Sequence, residues 1–395
     1  MREEFPIFQH HPQLVYLDSA ATAQKPERVL ATLDRFYRFD YGTVHRAIYR
    51  QSQRATELYS AAREKARSFL NASSLEEILF TRGTTDGLNL IAQSATAAFV
   101  RPGDEILVSE MEHHSNFVPW QMAAERSGAK LCTIPMRTDG TLDWEGKITS
   151  KTKIIAVAHM SNVTGTIHPI AQIGREAKRM GAFLVVDGAQ AAAHLPVDVQ
   201  ALGADFYAFS GHKCYGPTGI GVLFGRKELL SSMSPIQGGG DMIHEVHLCH
   251  TTYAEPPLRF EAGTPAIAPA LGLAAALEWI EEKSKDRLLV HTEALTSFAA
   301  DELLRIPGLK IWGNPPKRGP ILTFTLEGLH SLDIASWLDT QEIALRSGHL
   351  CAQPTLRKWG ITSALRASFA AYNREEDVVQ LVKALRQVQG ILSHL

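Results

Sequence analysis

Lys213 closes the run Ser210-Gly211-His212-Lys213, between the apolar stretch Phe206-Tyr207-Ala208-Phe209 and the small-residue turn Cys214-Tyr215-Gly216-Pro217-Thr218-Gly219. A strand that stops at such a turn holds a primary amine at the mouth of a sheet, where a carbonyl compound could form an imine with it. A free lysine with a pKa near ~10.4 is neutral in only about one molecule in 2500 at pH 7, so that role needs a site that lowers the pKa or keeps the imine. One lysine among 40 basic residues is, on its own, a solvated surface charge.

Four other apolar runs are followed by polar groups suited to the same chemistry. Phe80 is followed by Thr81-Arg82-Gly83-Thr84-Thr85-Asp86-Gly87, a turn opening a helix whose free N–H groups suit a phosphate. Val108 is followed by Glu110-Met111-Glu112-His113-His114-Ser115-Asn116, His159 by Ser161-Asn162-Val163-Thr164-Gly165, and Val186 by Asp187-Gly188-Ala189-Gln190. Taken singly, the threonines and the aspartate read as helix caps and the histidine as a packed or solvated ring. Taken together they match what pyridoxal phosphate requires: an imine-forming lysine, an acidic partner for the pyridinium nitrogen, a phosphate anchor and a flat group over the ring.

In a parallel α/β sheet the carboxyl ends of the strands bring such residues together. Strand-sized runs at 78–80, 105–108, 154–157, 183–186, 206–209 and 221–224 alternate with helical stretches, which predicts an α/β fold with a mainly parallel sheet. The glycines from Gly216 to Gly221 predict that the last run returns as a hairpin-like neighbour. Helices are expected at about 27–37, ending near Phe69, and at 269–283, 288–304, 331–341 and 375–393. Strands at 310–312 and 321–326 make the last hundred residues a smaller α+β unit. The expected division is a large domain over 15–280, a small one over 281–395, and residues 1–14 packing on the latter. The region from Gly238 to Pro257 reads as irregular.

A chain of 395 residues with net charge −2 gives no reason to expect a nucleic-acid or membrane partner. Its start lacks the apolar core of a signal peptide and no run approaches ~20 apolar residues, so a cytoplasmic protein is expected. Cys132, Cys214, Cys249 and Cys351 are too dispersed for a CxxC pair, and no metal is expected.

Several motifs resemble one family closely: the Lys213 turn with Gly216-Pro217-Thr218-Gly219, Val186 to Gln190, Glu112 to Asn116, and Arg346-Ser347-Gly348-His349 with Cys351. They are similar to the class V, fold-type I pyridoxal-phosphate enzymes, and within them to the cysteine desulfurases of the SUF (SufS-type) system, over nearly the whole chain. The resemblance implies a large domain with a mainly parallel seven-stranded sheet and pyridoxal 5′-phosphate as cofactor. It implies that Lys213 holds the cofactor and moves protons, Asp187 meets the pyridinium nitrogen and Gln190 the phenolic oxygen, and His113 stacks on the ring. Thr84, Thr85, Ser210 and His212 would hold the phosphate, and Thr264 would reach it from the second subunit of a homodimer. Asn162 and Arg366 would bind the substrate carboxylate, with Arg346 and His45 also at the substrate.

Cys351 would attack the sulfur of bound L-cysteine, leaving a persulfide and yielding alanine for iron–sulfur cluster assembly, with Arg346 and His349 as the sequence-near cations. The short segment from Arg346 to Cys351 resembles members that discharge to a dedicated sulfur acceptor of the SufE or SufU type. Three departures from the family pattern involve four positions. Leu350 stands where relatives carry a second histidine, Ala47 and Tyr49 follow His45-Arg46, and Cys214 replaces a leucine beside the lysine. Selenocysteine lyase, a class V aminotransferase or β-lyase independent of Cys351, and a non-enzymatic assembly scaffold are the competing readings.

Overall fold

The computed structural model describes residues 1–45 and 47–392. Arg46 and Ser393, the expected end of the last helix, lie outside the described residues. Seven strands form one sheet: β1 (Ile78–Thr81), β2 (Glu105–Ser109), β3 (Lys130–Ile134), β4 (Thr152–Ala158), β5 (Phe183–Asp187), β6 (Phe206–Ser210) and β7 (Gly221–Gly225). Their order is β1-β7-β6-β5-β4-β2-β3. All neighbours from β6 to β3 are parallel, while β7 runs antiparallel to both β6 and β1. The mainly parallel sheet and the returning Gly221 strand are therefore as expected. Because β7 is antiparallel to both neighbours, β1 points the same way as β6, and six strands end at one edge.

Both faces of this sheet are covered, which explains the near-continuous apolar runs. Successive residues alternate between two cores: Ile155, Val157, Leu184 and Val186 join one, and Ile154, Ala156 and Val185 the other. β3 was not among the expected strands. It is an edge strand, and its mixture of Lys130 and Thr133 with Leu131 and Ile134 has no apolar run to betray it.

A second, antiparallel sheet of β8 (Leu309–Trp312), β9 (Ile321–Leu326), β10 (Arg346–Gly348) and β11 (Ala364–Ser368) has the order β8-β9-β11-β10. Helices 285–304, 331–339 and 375–392 accompany it, and residues such as Leu303, Ile334 and Leu385 share its core. Val15–Tyr16, counted from the sequence with the large domain, instead pairs in parallel with Ile343–Ala344 and buries Val15 and Leu17 in this second core. The segment before it touches both units. Phe5 sits among Tyr215, Trp279 and Tyr372, while Arg2 reaches Tyr372 O and Asp377. The region read as irregular contains a hairpin, Ile243–Val246 with Thr251–Tyr253.

The segment carrying Thr264 is fastened by a buried ion pair. Arg63, on helix 50–70, donates to both Glu261 oxygens at 2.7 Å and to Ile78 O at 2.6 Å, and Phe80 N–H donates to Glu261 at 2.7 Å. Both side chains are less than 10% exposed. Removing one partner of such a pair leaves an uncompensated buried charge, at a cost of about 3–5 kcal/mol. Glu261→Gln should therefore lose about 3 kcal/mol in urea unfolding at pH 7; a loss below about 1 kcal/mol would mean that water already solvates Arg63.

Candidate active site

The aligned strand ends enclose a cavity of about 250 Å³. From the large sheet come Thr84 and Thr85 after β1, His113 after β2, Asn162 after β4, Asp187 and Gln190 at the end of β5, and Ser210, His212 and Lys213 at the end of β6. From the smaller sheet come Arg346, Cys351 and Arg366. Sequence reasoning placed all twelve at a site, and the fold brings them together.

Close backbone approaches set the floor of this cavity. A Cβ at Gly188 would lie 2.1 Å from the Tyr207 ring, so only glycine lets the Asp187 turn rest on it. Gly83 has φ +150°, and Gly221 passes so near that a Cβ there would lie 2.6 Å from Gly83 Cα. The Lys213 turn is latched from outside by Ala23 N–H, which donates to His212 O at 2.9 Å, and from beneath by Gly211 N–H to Ile220 O at 2.9 Å.

Lys213 and Asp187 are the electrostatic centre. Burial pushes the Lys213 amine down while the Asp187 carboxylate opposes that push. Burial likewise raises Asp187, against a hydrogen bond from Ala189 N–H and the Lys213 charge. Among the described residues, Asp187 accepts only that Ala189 bond, at 2.9 Å on Oδ1, leaving Oδ2 unpaired.

His113 is held as a neutral ring of one tautomer. Thr85 Oγ1 donates to Ser115 Oγ (2.9 Å), and Ser115 Oγ and N–H meet His113 Nδ1 at 2.7 and 3.1 Å. With Nδ1 accepting, the ring proton resides on Nε2. Burial, reinforced by the Lys213 charge, pushes His113 down to about 3. Below it lies Glu112, fully buried and raised to about 8 by burial. It accepts from Asn116 Nδ2 at 2.6 Å, Ala158 N–H at 2.9 Å and Ser109 Oγ.

A candidate phosphate seat lies at the opposite end. Helix 84–99 begins after Gly83 without a side-chain cap, Thr84 N–H donates to Ser210 Oγ at 2.8 Å, and the two hydroxyls meet at 2.7 Å. Burial, then the Lys213 and Lys25 charges, holds His212 at about 4, so it too is neutral. A second cavity of about 550 Å³ shares Thr84, Thr85, Ser210 and His212 and adds Ile236 and Gln237. Pyridoxal phosphate fits on these observations: an unpaired Asp187 oxygen for a pyridinium proton, an uncapped helix start for the phosphate, and a buried amine between them.

The smaller sheet supplies an anion seat. Arg366 on β11 is directly opposite Arg346 on β10, so two guanidinium groups share one face. Arg366 donates to Asn162 O (3.0 Å) and Asp18 Oδ1 (3.2 Å), and its buried Nε has no partner among the described residues. Asn162 Nδ2 donates to Leu350 O at 2.8 Å, which pins the Cys351 loop. Leu350 and Cys351 both adopt left-handed backbone, φ 54° and 52°. Leu350 fills a small apolar cluster with Val163, Ala352 and Leu356. Cys214 is buried at 0% exposure and raised by burial to about 12, so it is an inert apolar filler.

Two expected residues lie elsewhere in this chain. His45 does not reach the cavity: it stands exposed on a bend at φ 72°, its N–H donating to Thr56 Oγ1 at 3.0 Å and its ring against Tyr59. Thr264 is exposed on the turn after Glu261 and lines neither cavity. Sequence reasoning missed Asp18, the counter-charge of Arg366, and Ser115, which sets the His113 tautomer. Ser115 had a signal, its place two residues after the ring it serves; Asp18 had none, because its partner lies at the far end of the chain.

The aminotransferase class-V family model matches residues 15–381. The chain is 46% identical over 401 residues to a probable cysteine desulfurase of Halalkalibacterium halodurans, covering 100% of this chain and 98% of that protein. It is 46% identical over 399 residues to a cysteine desulfurase of Serratia proteamaculans, covering 99% and 98%. The solved cysteine desulfurase CsdA of Escherichia coli superposes with a TM-score of 0.92 at 44% identity, covering 99% of this chain and 98% of that one.

Beneath Asp187, His159 is held by burial at about 4 and His168 at about 3, and both His168 ring nitrogens are buried without a partner among the described residues. A folded pKa below the unfolded value of about 6.5 means that the unfolded chain takes up a proton the native state refuses. The stabilisation is complete above about pH 6.5 and is lost as pH falls, toward about 4 for His159 and about 3 for His168. Between pH 7 and 5 the parent should lose about 2 kcal/mol more than His168→Leu in urea unfolding. Equal losses would show that His168 is protonated inside the fold.

Proposed function

The chain belongs to the aminotransferase class-V family and is a pyridoxal-phosphate-dependent cysteine desulfurase, and on that premise we propose how its residues divide the work. The observation that carries the proposal is the meeting of Cys351 from the smaller sheet with Lys213 and Asp187 from the larger one in a single cavity. Pyridoxal 5′-phosphate, when bound, supplies an electron sink for negative charge at the substrate Cα.

Arg366 and Arg346 receive the carboxylate of L-cysteine, Arg366 keeping N–H donors beyond those given to Asn162 O and Asp18. Lys213, whose amine burial makes easier to deprotonate, moves a proton at the substrate Cα. Asp187 would hold the ring nitrogen protonated, Gln190 and His113 would orient the ring, and Thr84, Thr85, Ser210 and His212 would anchor the phosphate. Cys351 Sγ attacks the substrate sulfur. A sulfur–sulfur bond forms, the carbon–sulfur bond breaks, and the methyl carbon gains a proton, so L-cysteine and a thiol become alanine and a Cys351 persulfide.

The finer reading is a SUF-type homodimer working in the cytoplasm. Supporting the dimer, Thr264 and His45 are exposed, the phosphate seat opens on a second cavity, and Tyr37, Phe39, Tyr41 and Ile48 are each more than 60% exposed. Thr264 and His45 of a second copy then complete the site. Supporting an acceptor of the SufE or SufU type, the Cys351 loop is short and tied by Asn162 to Leu350 O and by His114 N–H to Cys351 O at 2.8 Å. A thiol so restrained cannot carry its sulfur far, and a partner has to reach in.

The test is alanine formation from L-cysteine by cofactor-loaded protein and Cys351→Ala, with a thiol acceptor present. Alanine from the parent alone, with loss of about 10²-fold or more in the variant, is expected. Equal alanine from both would remove Cys351 from the reaction and point to a lyase. Lys213→Ala should abolish activity yet retain the Asp187 site, giving a protein that binds the cofactor reversibly on dialysis. A Lys213→Ala protein that still turned over would overturn the lysine assignment.

A further inference from the structure

Cys351 has two imidazole neighbours, His114 and His349, neither of which has a step in the proposed reaction. One ligating atom from each of His114, His349 and Cys351 lies within 4.8 Å of the others. His114 comes from the turn after β2 and the other two from the loop after β10. Three hydrogen bonds hold this group in place: His114 N–H to Cys351 O at 2.8 Å, Gln353 N–H to His114 Nε2 at 3.2 Å, and Cys351 N–H to His349 Nδ1 at 3.1 Å. Each ring is therefore neutral, its acceptor nitrogen facing a backbone N–H, and a bound cation takes that nitrogen by displacing the N–H donor.

We propose that His114, His349 and Cys351 form a binding site for a thiophilic divalent cation of the zinc type, which caps the sulfur nucleophile when it binds. Two imidazoles and one thiolate with a fourth position open to water make a zinc-like ligand set, and soft sulfur selects against magnesium and calcium. Zinc bonds of about 2.0–2.3 Å require ligands roughly 3.5 Å apart, so side-chain rotation of about 1 Å closes the site. His349 is exposed and the other two half-exposed, so a cation has a path from solvent. Binding displaces the Cys351 thiol proton to solvent and forms a metal–sulfur bond, with no change of oxidation state. A capped thiol can neither attack substrate nor be alkylated. The capping consequence rests on the desulfurase reading; the site itself does not.

The experiment uses substrate-free holoenzyme in a Cys249→Ser background, which removes the exposed thiol beside the stacked His247 and His250. Zinc affinity is measured by competition with a chromophoric chelator, and Cys351 alkylation by iodoacetamide is followed by peptide mass spectrometry. Zinc should slow alkylation about tenfold or more, reversibly with a stronger chelator, and His349→Ala and His114→Ala should each weaken zinc binding about tenfold or more. His349 is exposed, so its variant keeps the fold even if His114→Ala does not. Unchanged zinc affinity in Cys351→Ala, or unchanged alkylation at saturating zinc, would overturn the site. Neither readout uses turnover, so alanine formation by Cys351→Ala would sink the nucleophile assignment while leaving this site standing, and the reverse result is equally separable.

Discussion

A lysine amine and an aspartate carboxyl buried at one edge of a parallel sheet depend on each other. Burial disfavours the charge on both, and each charge partly restores the other. The pair cannot relax into water, because Gly188 seats the Asp187 turn on the Tyr207 ring and Ala23 closes over the Lys213 turn. An amine kept in this position is closer to deprotonation than a surface lysine, while Asp187 keeps an oxygen unspent. Both properties are what an imine-forming cofactor with a ring nitrogen requires, and neither would survive at a solvated sheet edge.

The remaining electrostatics follow from that centre. A cavity already holding the Lys213 charge would repel an imidazolium, and the flanking His113 and His212 are neutral, depressed first by burial and next by Lys213. His113 can then act as a flat surface with a fixed proton on Nε2. The positive charge facing the cavity comes from the other body of the fold, where register places Arg366 opposite Arg346. Asp18 offsets that pair only in part, and it arrives on the segment after Val15–Tyr16, which pairs with Ile343–Ala344. The anion seat is thus assembled across both units, with Asn162 as the hinge point between Arg366 and the Cys351 loop.

Much of this was legible in the sequence, for a physical reason. Each cofactor-facing residue follows an apolar run directly, because a parallel strand ends where its side chains meet the ligand. Lys213, Asp187, His113 and the Thr84–Thr85 turn were readable from strand ends alone. What escaped was built from long-range pairing. Asp18 has meaning only beside Arg366, β3 is an edge strand without an apolar run, and the His114–His349–Cys351 group joins two loops that no spacing rule connects. The hairpin near residue 250 was also hidden, since its residues are largely exposed and lack a core-facing stripe.

The Cys351 loop shows how holding and delivering a sulfur conflict. Leu350 and Cys351 both take left-handed backbone, a conformation that costs of order 1–3 kcal/mol for each such residue. Leu350 burial among Val163, Ala352 and Leu356 and the Asn162 bond to its carbonyl offset that strain. A histidine at position 350 would place a polar ring in this apolar cluster, so Leu350 exchanges a titratable group for anchorage. The neighbouring imidazoles then lie on the opposite side, at His114 and His349, where they steady the loop through backbone N–H groups. Those lone pairs lie beside the thiol, so a thiophilic cation captures Cys351 only by displacing the N–H groups that anchor its loop.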